Sequence, residues 1–221
     1  MAVLTWDGSG ERFYETGTDH GILFPVNAAT GAYGDGVAWN GLTGVSDKPE
    51  GGDRTELWAD NIMYATMNAR ETAGGSISCY TYPDEFAECM GMVSPKAGMR
   101  VGQQARKSFG FAYRTRVGND LTDNAGYILH VYYGCTASPS SRDYSTINDN
   151  PDAVEFSFDF EATPAPYDDA GTYEPTAYLE FDSRTLSTAS YTAIENALIG
   201  TSSEAPKLLT PSGFAALITT N

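Results

Sequence analysis

Few residues of this chain are placed for acid–base or nucleophilic chemistry. The two histidines, His20 and His130, lie 110 positions apart, and neither has a second metal ligand beside it at metal-binding spacing. The sequence lacks the Gly-x-Ser-x-Gly motif of serine hydrolases and the glycine-rich loop that holds phosphates. Because a lone histidine in a strand is more often structural than catalytic, neither histidine predicts an active site.

Carboxylates and cysteines also indicate no particular chemistry. A glycosidase needs two carboxylates across a sugar, and among 29 acidic residues some pair always meets that condition. Residues 148–152 are acidic but do not match a calcium-binding EF-hand loop, so a capped turn is favoured. The number of cysteines is odd, and no two of them form a Cys-x-x-Cys motif; they are Cys79, Cys89 and Cys135. We therefore predict buried free thiols and no metal site.

Composition and charge restrict the class of protein. The 221 residues are 41% hydrophobic and 12% aromatic, which suffices for a packed core and predicts a single domain, residues 1–221. The formal net charge of −16 repels nucleic acid and anionic lipid at long range. No segment approaches the ~20 apolar residues of a membrane helix, and the first residues do not resemble a signal peptide. We expect a protein made and kept in the cytoplasm, without membrane contact.

Alternating hydrophobicity predicts that strands dominate the fold. In residues 153–163 aromatic side chains alternate with acidic ones, which is typical of a strand with one buried face and one wet face. Residues 109–117, 127–133 and 176–182 predict further strands. Additional strands are predicted at 61–69 and 75–82, joined by a hairpin turn at Gly74-Gly75, and more weakly at 36–45 and 11–14.

Helix signals are scarce. Residues 187–199 have apolar residues at helical spacing, with Ser187 as N-cap and Gly200 as the C-terminal stop. Shorter helical turns are predicted at 83–90 and 211–218, and loops at 46–53, 118–125 and 162–175. The residues thus predict a mainly β (α+β) fold, antiparallel, with one main helix packed on it.

Charge is uneven along the chain. Residues 96–116 contain six basic residues and no acid, whereas residues 143–182 contain eleven acids and no base. Such runs are either two solvated faces or complementary surfaces of an oligomer, and the sequence does not choose between them. In the oligomer, we expect the basic stretch to contact acids of an adjacent subunit instead of DNA, so that salt weakens assembly.

Several stretches together resemble the major tail protein, or tail tube protein, of long non-contractile-tailed phages of Gram-positive hosts. The stretches are specific together, whereas any one alone is weak; one of them is Tyr80-Thr-Tyr-Pro-Asp-Glu-Phe-Ala-Glu-Cys89. The others are residues 39–45 with 49–52, 59–62, 102–110, 113–120, 126–134 and 146–152 with the strand that follows. The resemblance covers roughly residues 10–218. Residues 162–173 match least, and nothing is carried over to them.

The resemblance implies two packed antiparallel β-sheets in a sandwich or barrel-like arrangement with a helix. It further implies that six copies close into a ring and that rings stack into a tube in the virion tail, assembled in the host cytoplasm, which conducts DNA into the host. Implied partners are other copies of the chain and the tape measure, tail tip and tail terminator proteins, with DNA passing through unbound. The family that the chain resembles has no enzymatic role and no cofactor, so neither is expected here, and no catalytic residue is implied.

Two sets of contact residues are predicted for such an assembly. An extended loop at residues 46–60 is expected to reach a neighbouring ring, and residues 187–218 to form a C-terminal helical segment. The inter-ring candidates are Ser46, Asp47, Lys48, Pro49, Glu50, Gly51, Gly52, Asp53 and Arg54. The candidates for contacts between subunits are Tyr82, Pro83, Asp84, Phe86, Arg106, Lys107, Arg114 and Arg116.

A second class of function stays open at this point. The chain has 14 tyrosines and 3 tryptophans, so a carbohydrate-binding β-sandwich that stacks aromatic rings on sugars is the alternative to the tube subunit. Such a module binds glycans as a monomer. A glycosidase ranks third, because nothing but the abundance of acids favours it.

Overall fold

The computed structural model describes residues 3–144, 146, 153–167 and 173–219, and these contain thirteen strands and three helices. The predicted turn at 148–152 and the middle of the predicted loop at 162–175 lie outside the described residues. The strands are β1 (Tyr14–Pro25), β2 (Val37–Trp39), β3 (Leu42–Asp47), β4 (Glu50–Gly51), β5 (Arg54–Ala59), β6 (Ile62–Asn68), β7 (Glu71–Cys79), β8 (Val93–Lys96), β9 (Met99–Val101), β10 (Phe109–Gly118), β11 (Gly126–Ala137), β12 (Phe156–Ala162) and β13 (Tyr178–Asp182). The helices are α1 (Phe86–Cys89), α2 (Thr188–Ile199) and α3 (Pro211–Leu217).

A nine-stranded antiparallel sheet forms most of the described fold. Its strands run in the order β2-β1-β10-β11-β12-β7-β3, while β13 also pairs with β11 and β4 also pairs with β7. The first part of β11 pairs with β13 and its last residues pair with β12, so the sheet divides into two layers along this strand. Gly134 lies between the two parts with φ 57°, and a side chain there would collide with the Thr163 carbonyl.

Two apolar clusters hold the layers and helices together. The first contains Trp39, Phe86, Phe111 and Phe158, which are all buried between the layers. The second lies on the opposite face of β1, β10 and β11, where α2 and α3 cover the strands. Both faces of β10 and β11 are therefore buried, which explains why Tyr-Ile-Leu-His-Val-Tyr-Tyr in β11 is almost continuously apolar.

The predicted N-cap and C-terminal stop of helix α2 are confirmed. The Ser187 hydroxyl accepts a hydrogen bond from the Ser190 amide at 3.2 Å, and Gly200 follows the last turn with φ 83°. The short helices α1 and α3 are also confirmed, and Thr210 caps α3 in the same way as Ser187 caps α2. The mainly β fold with one main helix is confirmed.

Five predicted strands are confirmed. Those at 109–117, 127–133, 153–163 and 176–182 correspond to β10 through β13, and the one at 61–69 corresponds to β6. In β12 the aromatic side chains of Phe158 and Phe160 are buried, and the acids between them are exposed. The weak signal at 11–14 marks only the start of β1, whose polar middle is irregular, with register shifts and a positive φ at Gly17 and His20.

The predicted hairpin turn at Gly74-Gly75 is wrong. Both glycines lie inside β7 and are buried, and the turn that precedes β6 is at Asp60-Asn61. A Cβ on Gly74 would lie 2.9 Å from the Phe160 carbonyl of β12, and one on Gly75 would collide with the Ser46 carbonyl of β3. These glycines thus permit the close approach of neighbouring strands. A Gly-Gly pair in the sequence does not show whether it serves this role or forms a turn.

Among the described residues, no helix combines the length and apolarity required to cross a membrane.

Candidate functional site

The most unusual surface of the described fold is the hairpin formed by β5 and β6, residues 54–68. The two strands pair only with each other, and every residue in them is exposed. Adjacent residues of a strand point to opposite faces, so Met63 and Tyr64 place apolar side chains on both faces. Trp58 is 65% exposed and Tyr64 is 73% exposed. An isolated two-stranded hairpin is only marginally stable in water, and the described residues cover neither face of this one.

A tight turn defines the tip of the hairpin. Asp60 and Asn61 have φ angles of 51° and 62°, the left-handed values required at both central positions of a type I′ turn. Asn and Asp tolerate this conformation better than other residues that carry a side chain. The turn therefore sets the strand register and presents a shaped hairpin instead of an extended flexible loop.

The base of the hairpin is anchored to the main sheet. β4 pairs with β7 through Glu50 opposite Thr72, and the Ala69 amide donates a hydrogen bond to the Asp53 carbonyl at 2.8 Å. Lys48 lies 3.7 Å from the Asp159 carboxylate of β12. These contacts hold in place the two segments of the chain that lead into β5 and out of β6.

The predicted extended loop at 46–60 therefore needs correction. Ser46 and Asp47 end β3, Glu50 and Gly51 form β4, and Arg54 begins β5, while the intervening Lys48, Pro49, Gly52 and Asp53 connect them. These candidates form the exposed base of the hairpin. The sequence predicted a strand at 61–69, but no signal indicated that its apolar side chains stay uncovered. The missed residues are Leu57, Trp58, Ile62, Met63, Tyr64 and Met67.

Phe86, a predicted subunit-contact residue, belongs to the core. Its side chain is fully buried, with ring centroids 4.5 Å from Trp39 and 5.0 Å from Phe158. Tyr82 is half-buried and packs on the same cluster, while the exposed Asp84 forms an ion pair with Arg100. Pro83 is half-buried beside it, so of these four candidates only Asp84 is fully at the surface. Phe86 cannot contact another molecule unless the fold opens.

Half of the basic residues in 96–116 pair with acids of the same chain. Arg100 pairs with Asp84, Lys107 with Glu88, and Arg114 with Asp19 and Glu195. The Arg106 guanidinium donates to the Ala137 carbonyl at 2.8 Å. Lys96 and Arg116 are exposed and form no ion pair within the described residues. Arg106 likewise forms no ion pair among the residues that the structure describes, and contact of this stretch with a second subunit stays a prediction.

Arg114 of β10 contacts three other elements, β1, α2 and β11. Its Nε lies 2.8 Å from one carboxylate oxygen of Asp19 and its Nη2 lies 3.1 Å from the other, so the contact between β10 and β1 is bidentate. Nη1 lies 3.3 Å from Glu195 of α2, and the guanidinium stacks 4.2 Å above the Tyr127 ring. Partial burial raises the pKa of Asp19, but the hydrogen bonds with Arg114 and His20 together outweigh it, so that the pKa of Asp19 lies below its ordinary value.

We expect Arg114→Met to lower the free energy of unfolding by about 2 kcal/mol, because the hydrogen bonds to two carboxylates are lost while Asp19 stays half-exposed. Urea denaturation of the monomer measures the change. Arg116→Met is the matched control: it lies two positions along the same strand, exposed and without an ion pair in the described chain, and should change stability by less than about 0.5 kcal/mol. Equal losses in both variants would contradict the role of the ion pairs.

His130 is a buried residue of β11 with both ring nitrogens in hydrogen bonds. Nε2 lies 2.8 Å from the Thr115 hydroxyl and Nδ1 lies 2.6 Å from the Tyr178 hydroxyl. The Tyr113 ring stacks on the imidazole at a centroid distance of 4.5 Å. This histidine is integrated into the sheet, in agreement with the structural role expected from its position in a strand.

Burial lowers the pKa of His130 below the ordinary 6.5, although the carboxylates of Glu180, Glu15 and Asp47 oppose the shift. The other titratable groups that face the imidazole are the phenols of Tyr113 and Tyr178. Below pH 6.5 the unfolded chain binds a proton that the folded chain resists, so stability falls as pH falls. We expect His130→Gln to flatten this slope in urea titrations; an unchanged slope would exclude His130 as its source.

The three cysteines are free and buried, as predicted. Burial raises the pKa of Cys89 to about 12 and also raises the pKa values of Cys79 and Cys135, so these thiols resist ionisation at neutral pH. Across the described ranges, no group of three or more His, Cys, Asp or Glu side chains is placed to hold a metal ion.

Comparison with known protein families finds no family model that matches this chain, and comparison with curated proteins finds no similar sequence.

Proposed function

We propose that this protein is a structural subunit of a phage tail tube. Copies of it assemble into rings, six to a ring by the resemblance, and the rings stack around a channel that conducts DNA into the host. The observation that carries the proposal is the hairpin of residues 54–68, which exposes apolar side chains on both faces. The resemblance over roughly residues 10–218 supplies the kind of assembly.

The hairpin favours a second copy of the chain as its partner. A surface with Trp58, Tyr64 and Met67 exposed together is unusual for a protein that stays monomeric. Aromatic residues and methionine are enriched at the centres of protein interfaces, where water is excluded. In stacked rings, each hairpin would lie against the neighbouring ring, so that every copy covers the apolar surface of another.

Strand edges support closure of the ring. In the part of the chain that the structure describes, β13 pairs with β11 on one edge and has no strand partner on the other. The same holds for β3, which pairs with β7 alone. Unpaired edges are ready to accept a strand from another chain, and closing them in a ring removes the hazard of uncontrolled aggregation.

Charge supports a channel through which DNA slides. The net charge is −16, and the strand β12 exposes Asp159 and Glu161 on its wet face. Acidic surfaces repel phosphates, so DNA passes without the counterion release that makes it bind. The tape measure, tail tip and tail terminator proteins, which the resemblance implies, would be the further partners of such a tube.

Electron microscopy with sedimentation analysis over a range of protein concentrations tests the proposal. Rings or tubes that appear as concentration rises are the expected result. A protein that stays monomeric under all conditions and binds a glycan array would favour the carbohydrate-binding module, in which Trp58 and Tyr64 would stack on sugars. A monomer that binds no glycan would reject both functions.

A further inference from the structure

A cleft of about 1250 Å³ opens between three parts of the chain. One wall is the loop of residues 25–34 that follows β1, another is the hairpin of β8 and β9, and α1 with the residues before it also lines the cleft. We call it the α1 cleft. Small-molecule sites usually enclose about 300–1,000 Å³, so this cleft has room for a segment of protein.

Backbone hydrogen bonds fix both walls of the α1 cleft. In the loop of residues 25–34, the Asn27 amide donates to the Ala32 carbonyl at 2.8 Å, which closes the loop on itself. At the base of the β8–β9 hairpin, the Met92 amide donates to the Ala87 carbonyl of α1 at 2.8 Å. A cleft whose walls are held in this way loses little conformational freedom when a partner fills it.

Apolar side chains line the α1 cleft and stay open to solvent. Ala28 and Ala29 are exposed on one wall, and Met99 is 51% exposed on the other. Because β8 and β9 pair only with each other, no further strand of the described chain covers Met99. Met92, three residues after α1, is half-buried in the same lining. Methionine side chains are flexible and polarisable, and they pack well against aromatic rings.

Charge in the α1 cleft is nearly balanced, although the chain as a whole carries −16. Two ion pairs neutralise four of its five charged side chains, Arg100 with Asp84 and Lys107 with Glu88, and Glu85 is the fifth. The hairpin of β5 and β6 carries one arginine and two acids. Copies of an acidic protein repel each other, so they associate most readily where both surfaces are close to neutral.

One face of the β5–β6 hairpin matches the apolar lining of the cleft. Met63, Ala65 and Met67 are alternate residues of β6, so their side chains share one face. In β5, Trp58 lies opposite Met63 and Leu57 lies opposite Ala65, which places both on that face. The four large side chains of this face are 41–65% exposed.

The hairpin and the α1 cleft begin from opposite ends of β7. The pairing of β5 with β6 keeps the register of β4 with β7, so the hairpin extends from the Glu71 end of β7. The chain reaches α1 from the other end, Cys79, and the nine residues of β7 at ~3.3 Å each place these ends about 25 Å apart. Every residue of β5 and β6 is exposed, so the hairpin does not occupy the cleft of its own chain.

We infer that the α1 cleft binds the hairpin of residues 54–68 of a second copy, with Leu57, Trp58, Met63 and Met67 facing the cleft. Such a contact joins two different surfaces head to tail, so it propagates into rings or filaments. Contact of two hairpins with each other would instead stop at a dimer. The inference rests on the proposed self-assembly and adds the surface that receives the hairpin.

Complementation between two variants tests the inference. The cleft variant, Ala28→Lys with Met99→Lys, keeps the hairpin intact. The hairpin variant, Trp58→Ser with Met67→Ser, keeps the cleft intact. Alone, each should associate about a hundredfold more weakly than the wild type, because an ammonium is buried unpaired or an anchor is missing. An equimolar mixture should form a 1:1 dimer in sedimentation velocity, since it combines one intact hairpin with one intact cleft.

The matched control is Leu121→Lys with Tyr144→Lys, because these side chains are 70–72% exposed and lie outside both the cleft and the hairpin. It should assemble as the wild type does. Lysine makes the net charge less negative, so weaker association of the cleft variant cannot result from stronger general repulsion. Unfolding midpoints check the fold, and Met99→Lys alone replaces the cleft variant if the latter does not fold.

Normal assembly of the cleft variant, or a mixture without the 1:1 dimer, would overturn the inference. If the wild type still forms rings or tubes in that case, the proposed tube subunit stands and only its docking surface is wrong. If the wild type and the mixture both stay monomeric at every concentration, the inference and the proposed function fail together.

Discussion

Replacing Trp58, Tyr64 and Met67 together with serine should abolish self-assembly and leave the monomer folded. These side chains are 60–73% exposed, so the monomer loses little when they are removed. In the proposed assembly they would be the buried anchors, and an aromatic anchor contributes about 2 kcal/mol or more. Loss of the two aromatic anchors alone therefore lowers the association constant by about a thousandfold.

Sedimentation velocity and electron microscopy measure this effect, with unfolding midpoints as the check on the fold. Leu121→Ser is the matched control, because Leu121 is 70% exposed but lies in the loop between β10 and β11, outside the hairpin. The control should assemble normally. Assembly of the triple variant at the wild-type concentration would show that the hairpin is not the contact and would remove the main support for a tube subunit.

The serine variant is a sharper test than removal of residues 48–53. That deletion takes away β4 and the ion pair between Lys48 and Asp159, both of which anchor the hairpin to the main sheet. A loss of assembly after this deletion would therefore not distinguish loss of a contact with another copy from loss of the anchor between the hairpin and the main sheet. Substitution at exposed positions changes the surface and leaves these anchors in place.

Phe86→Ala should lower the free energy of unfolding by about 4 kcal/mol. The ring is fully buried and meets the rings of Trp39, Phe109 and Phe158 at centroid distances of 4.5–5.4 Å. Its removal leaves a cavity among rigid aromatic neighbours that cannot collapse into it. Phe86 is the largest of the three buried side chains of this four-residue helix, the others being Ala87 and Cys89.

Equilibrium unfolding in urea measures this loss, and Phe13→Ala is the matched control. Phe13 is 51% exposed and contacts the Arg184 guanidinium at 4.6 Å, so its removal should cost about 1 kcal/mol or less. If Phe86→Ala does not fold, Phe86→Leu should still unfold more readily than the wild type. A loss below about 1 kcal/mol for Phe86→Ala would contradict the packing described for this cluster.

Patterns that depend on neighbours along the chain predicted their elements well. The alternation in β12 and the capping of α2 by Ser187 both arise within a few residues. Strand periodicity and helix caps are local properties, so one sequence suffices to identify them. The buried free thiols also followed from the number and spacing of the cysteines.

Glycine and charge patterns were ambiguous because their meaning depends on distant residues. Gly74 and Gly75 satisfy a turn pattern, but in the fold they make room for the backbones of β12 and β3. The ion pair between Arg114 and Asp19 joins residues 95 positions apart. Neither contact can be predicted from the residues that are adjacent in the sequence.

The sequence alone determined that this protein is mainly β, has one capped helix and contains no disulfide framework, because composition, periodicity and caps act locally. Only the tertiary structure decided which aromatic residues are covered. Phe86 and Trp58 are both large and apolar, yet one is enclosed by the two layers and the other projects on a hairpin that pairs only with itself. Burial is a property of the contacts that distant strands make, so the residue type at a single position cannot specify it.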